Sequence, residues 1–84
     1  MHFLAMSQSS TLWTLHRDGR YVSAELYDLR QYGLELRYVR NGQPFATARF
    51  EDGVDLLCEA AVWRFELEAQ GWSDGRSKLT TAYA

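Results

Sequence analysis

Leu15-His16-Arg17-Asp18-Gly19-Arg20-Tyr21-Val22 and Tyr38-Val39-Arg40-Asn41-Gly42-Gln43-Pro44-Phe45 decide the fold. In each stretch a dipeptide that tolerates positive φ, Asp18-Gly19 or Asn41-Gly42, separates two runs of alternating apolar and polar residues. A two-residue type I′ turn demands positive φ at both central positions, and its twist matches the twist of the strands it joins. Two such signals in 84 residues predict an antiparallel meander of four strands.

The turns also set register. With Arg17 opposite Arg20, Leu15 faces Val22 and Trp13 faces Ala24. With Arg40 opposite Gln43, Tyr38 faces Phe45 and Leu36 faces Thr47. A three-residue loop within Arg30-Gln31-Tyr32-Gly33 pairs Leu26 with Leu36 and Ala24 with Tyr38. One face then collects Trp13, Leu15, Val22, Leu26, Leu34, Leu36, Tyr38 and Phe45 as a core. A loop one residue longer would split this set, because side chains alternate with period two. The opposite face carries Thr14, His16, Tyr21, Ser23, Glu25, Tyr27, Glu35, Arg37 and Val39 and is expected to be solvated.

Beyond Phe50 the pattern becomes helical. Asp52 suits an N-cap because its carboxylate accepts from unpaired amides of the first turn. Gly71 suits the C-terminal stop, since glycine takes up the left-handed cap at little cost. The fold class is therefore α+β, a four-stranded antiparallel meander followed by one C-terminal helix packed on one sheet face (ββββα). At about 100° per residue, Val54, Leu57, Cys58, Ala61, Phe65 and Ala69 form an apolar stripe of the kind that packs on a sheet. Leu56, Ala60, Trp63 and Leu67 form a second stripe half a turn away. A single sheet covers only one, so the second, anchored by Trp63, is expected to be an interface with another chain or else to be covered by the termini.

Length and composition bound the rest. Residues 1–10 read as a flexible leader, with Met6 an alternative start, residues 11–72 as one domain, and residues 73–84 as a polar, mobile tail. Three Trp, five Tyr and four Phe supply large buried areas to a thin core. The single Cys58 forms no disulfide within the chain, and MHFLAM lacks the basic start of a signal peptide, which points to a reducing cytoplasm. No apolar run approaches the roughly 20 residues of a membrane span. Arg greatly outnumbers Lys, as GC-rich codon usage favours, so a bacterial or phage source is expected.

The residues offer little chemistry. His2 lies in the leader and His16 is a lone strand histidine. Cys58 falls on the expected core stripe as an inert thiol, and one Cys with two His matches no zinc spacing. The glycines are scattered, so no phosphate-cradling loop exists. Neither catalytic residues nor a cofactor or metal is expected. The formal net charge of −2 and the missing basic stripe argue against nucleic acid as partner. The sequence reads as a non-enzymatic interaction module that self-associates, as a homodimer, through Leu56, Ala60, Trp63 and Leu67, or binds another protein there. The alternative is a nucleic-acid-binding or regulatory protein using His16, Tyr21, Tyr27 and Arg37 on the free sheet face.

Overall fold

In a computed structural model, which describes residues 8–74, the chain runs β1 (Gln8–Arg17), β2 (Arg20–Asp28), β3 (Leu34–Arg40), β4 (Gln43–Phe50) and α1 (Gly53–Ala69). The sheet is an antiparallel meander in the order β1-β2-β3-β4, with α1 packed on one face. Asp18 and Gly19 sit at φ 51° and 78°, and Asn41 and Gly42 at 50° and 86°, as a type I′ hairpin requires. Asn41 also ties its turn to β2: its Oδ1 accepts from the Tyr21 amide and its own amide donates to the Tyr21 carbonyl, both at 3.0 Å.

The middle connection contains the three-residue 3-10 turn Arg30–Tyr32, and Leu26 pairs with Leu36 and Ala24 with Tyr38 as expected. Asp28 Oδ1 accepts from the Arg30 amide at 2.8 Å, which supports Arg30 at φ 59°. Gly33 follows at φ 96°, and a Cβ there would meet the Phe50 carbonyl oxygen at 3.0 Å. This position needs glycine for both reasons.

Register in the first hairpin is the expected one, Leu15 with Val22 and Trp13 with Ala24. In the second hairpin it is not. Tyr38 pairs with Ala46 and Leu36 with Ala48, one residue away from the expected Phe45 and Thr47. Pro44 lies opposite Val39, and Phe45 is the extra residue of a bulge. Proline has no amide to give a ladder and is found at edges and bulges. The shift decides what β4 buries: Ala46 and Phe50 join the core, while Thr47 and Arg49 turn outward. Phe45 still reaches the rings of Tyr38 and Trp63, at 6.2 and 6.1 Å, but from an exposed rim.

The helix reverses the expected assignment of its stripes. Leu56 and Ala60 are buried, and Trp63 and Leu67 pack on the core. Val54, Leu57 and Phe65 face solvent, and Cys58 is exposed rather than buried. The interface expected on Leu56, Ala60, Trp63 and Leu67 is therefore taken up by the fold itself. The cause is shape. Small Ala60 lets the helix approach Trp13, whose Nε1 donates to the Ala60 carbonyl at 3.1 Å. One turn on, Trp63 stacks on Tyr38 with ring centres 4.0 Å apart and planes within 16°. The other stripe would present Phe65 and Leu57 to a sheet surface already filled by Trp13 and Tyr38.

Both helix ends are satisfied. Asp52 Oδ1 accepts from the Val54 amide at 2.8 Å. At the C-terminus, Trp72 N–H donates to Leu67 O and Gly71 N–H to Glu68 O, both at 3.1 Å, with Gly71 at φ 100°. This is a Schellman cap, and its apolar residues Trp72 and Leu67 both pack on the core. The chain then returns to the sheet, where Ser73 bridges His16. The ordered unit is thus wider than residues 11–72: β1 takes in residues 8–10 of the expected leader, and Ser73 belongs to the sheet. Residues 1–7 of the expected leader, with His2 and Met6, and residues 75–84 of the expected tail lie outside the described residues.

Candidate functional site

Two surfaces carry enough unusual chemistry to be considered. The first is the solvent face of α1. Val54 is 66% exposed, Leu57 51%, Val62 52% and Phe65 73%. With Cys58 and Ala61 between them, they make one apolar stripe from Val54 to Phe65, about 17 Å of the helix at 1.5 Å per residue. Asp55, Glu59 and Glu66 border it on one side, all exposed. The usual helix on a sheet has a polar outer face. This one is apolar on both faces.

The second surface is the open face of the sheet. His16 and Tyr21 are cross-strand neighbours with ring centres 6.2 Å apart. Tyr27 and Arg37 form a separate pair, the guanidinium 4.1 Å above the centre of the phenol ring. Six residues of β2 separate Tyr21 from Tyr27, about 20 Å at 3.4 Å per residue, so the four residues do not converge. Between them, Thr14 and Ser23 share a hydroxyl contact at 2.9 Å, and Ser23 and Val39 are buried.

The Tyr27 end is a closed polar network. Tyr27 OH donates to Glu25 at 2.9 Å, and Arg37 donates twice to Glu35 Oε2, at 3.0 and 2.8 Å. Arg49 approaches the other Glu35 oxygen at 3.5 Å. The Arg37 hydrogen bonds hold the Glu35 carboxyl below its usual range, even though burial acts the other way. Bonding to Glu25 pushes the Tyr27 phenol up, and pairing with Glu35 raises Arg37. Two acids and two arginines balance, and the exposed side of the Tyr27 ring is covered by Arg37. A network that satisfies itself in this way stabilises the sheet and leaves no stacking platform for a base.

A third feature is an open cleft of about 310 Å³ lined by Leu12, Trp13, Thr14, Arg64 and Asp74. Arg64 is held there by Glu68 at 3.0 Å and by Asp74 at 3.3 Å. Tyr38 OH is buried in the core with no partner among the described residues, and burial pushes its pKa up further than the nearby Glu59 does. The Tyr38 ring stacks on Trp63, and Tyr38 is not among the residues that line the cleft. Among the described residues no group of three or more His, Cys, Asp or Glu is placed to hold a metal ion. No helix among them is long and apolar enough to cross a membrane.

Periodicity locates both stripes of α1 but assigns each to the wrong side, and the cleft beside β1 leaves no mark in the sequence. Comparisons with models of protein families, with curated proteins and with solved structures give no match.

Proposed function

We propose that this chain is a non-enzymatic, cytoplasmic protein-interaction module that self-associates through the solvent face of α1. The observation that carries the reading is the stripe of Val54, Leu57, Val62 and Phe65, each more than half exposed and all on one rigid helix. Contiguous apolar surface of this kind is the usual mark of an interaction site. A second copy fits it, because a two-fold axis near Ala61 sets the same stripe against itself in antiparallel helices.

The geometry also sets the strength. A helix pair of this length buries on the order of 400 Å² per partner, well under the ~800 Å² of a standard interface. An antiparallel two-fold also brings each acidic flank, Asp55, Glu59 and Glu66, beside its own copy. The dimer is therefore weak, in the micromolar range or above, and it tightens as salt screens the like charges. Analytical ultracentrifugation at low and high salt tests this. Association that strengthens with salt, and is abolished by Phe65→Glu without loss of fold, is the expected result. A strict monomer at several hundred micromolar in both buffers overturns the reading.

A further inference from the structure

The two tight turns, Asp18-Gly19 and Asn41-Gly42, lie at the same end of the meander, and three arginines gather there. Register puts Arg17 directly opposite Arg20 in the first hairpin and Arg40 opposite Val22 on the next strand. Residues opposite one another, or two apart on one strand, share a sheet face. All three arginines therefore stand on the helix side, in line with the buried Leu15, Val22 and Tyr38, and all three are exposed. Opposite side chains start about 5 Å apart and diagonal ones about 7–8 Å, within reach of long side chains. Three guanidinium groups can thus meet over one point.

Like charges directly opposite each other destabilise a sheet, and little in the fold offsets these. Among the described residues their one ion pair is Arg17 with Asp18, at 3.6 Å and largely open to water. Arg17 also has a structural role: its Nε lies 3.6 Å from where a Gly71 Cβ would stand, beside the cap that ends α1. The last turn of α1 holds no basic residue, so Arg17 meets the negative end of the helix dipole. That role does not extend to the other two. Arg40 has only the Phe45 ring, 5.1 Å from its guanidinium carbon, and Arg20 has neither an ion pair nor a ring contact among the described residues. The ends of the chain point elsewhere. Gln8 begins β1 about 30 Å from Arg17 at 3.4 Å per residue. Ser73 pairs antiparallel with His16 and Asp74 lies beside Leu12 and Thr14, so the chain passes Asp74 heading away from the arginines.

We propose that Arg17, Arg20 and Arg40 form an anion site for a compact, multiply charged phosphate group, that of a free polyphosphate or of a nucleotide. Guanidinium forks match phosphate oxygens in pairs, and such charge-assisted bonds are the strong ones. A single carboxylate brings one charge to three cations. A diphosphate brings at least two, with oxygens enough for each fork, and relieves the repulsion between Arg17 and Arg20. The cluster is a point at one end of the sheet and not a stripe, so it suits a small ligand better than a nucleic-acid backbone. The site is independent of the α1 stripe.

The test titrates the full chain with pyrophosphate, sodium chloride holding the ionic strength constant, and follows amide and arginine Nε signals by NMR. Saturable shifts at Arg17, Arg20 and Arg40 with a dissociation constant below about 1 mM are expected. Ligand that binds only the folded state also raises the melting temperature. Arg20→Gln and Arg40→Gln each remove one exposed charge, and each should weaken binding at least fivefold and abolish that rise. Arg49→Gln, on the other sheet face, should leave both unchanged. Far-UV circular dichroism verifies the fold of each variant, and one folded cluster variant is enough for the comparison. Adenosine diphosphate separates the sources: affinity equal to that of pyrophosphate assigns the site to phosphate alone, and tighter binding with shifts spreading to the exposed Phe45 assigns it to a nucleotide. No saturation below about 1 mM, an equal response to sulfate, an equal loss in Arg49→Gln, or shifts centred on α1 overturns the proposal. So does a single-stranded oligonucleotide that binds the same residues more tightly than either phosphate probe, which would make nucleic acid the occupant.

Discussion

Leu56 and Leu57 are sequence neighbours with the same side chain, and the fold gives them opposite fates. Leu56 is 0% exposed within the core, and Leu57 is 51% exposed. Truncating a fully buried leucine to alanine removes its transfer free energy and leaves a cavity, about 3 kcal/mol within a range of 2–5. Sheet and helix are both rigid here, so the site has little freedom to collapse. A domain of this size is stable by about 4–12 kcal/mol in all. Leu56→Ala should therefore remove a quarter to three quarters of that stability and lower the melting temperature by about 15 °C. Leu57→Ala should change stability by about 0.5 kcal/mol or less, because half of the side chain already meets water. Urea and thermal melts by circular dichroism, at a concentration below the range of the proposed dimer, separate the two. Equal losses, or a larger loss for Leu57→Ala, would refute the placement of α1 and with it the interface proposed on its solvent face.

Two further outcomes follow from the sheet. Glu35 has a folded pKa below its ordinary value of 4.5, so its contribution is present above that pH and is lost as pH falls through the lower folded value. Glu35→Gln should thus be less stable than the parent at pH 7 and should lose less on acidification, so that stability curves for the two converge as pH falls through the lowered folded value. Gly33→Ala forces a Cβ to 3.0 Å from the Phe50 carbonyl oxygen at φ 96° and should cost about 1–3 kcal/mol in urea melts, whereas a surface alanine such as Gln31→Ala should cost little.

Local chemistry governs what was legible in advance. Asp18-Gly19 and Asn41-Gly42 specify their turns through φ alone, so the meander and the first hairpin's register follow from residues adjacent in the chain. Asp52 and Gly71 mark the helix for the same reason. The sequence by itself thus determined the element order, the turns and the caps, because each depends on a few neighbouring residues. It also determined that α1 carries two apolar stripes, because helical period is a local property.

Which stripe packs was decided only by tertiary structure. Both stripes are similarly apolar, and the i, i+3, i+4 spacing favours the one that in the fold faces solvent. The choice rests on fit: Ala60 beneath the Trp13 indole and Trp63 flat on Tyr38 close a core that Phe65 and Leu57 would not. The bulge at Phe45, which sends Phe50 inward and Arg49 outward, is likewise a compromise between the Pro44 backbone and the demand of the core for Ala46. The exposed α1 stripe is a remainder of that packing, the surface left over once one helix face and three strand pairings were satisfied.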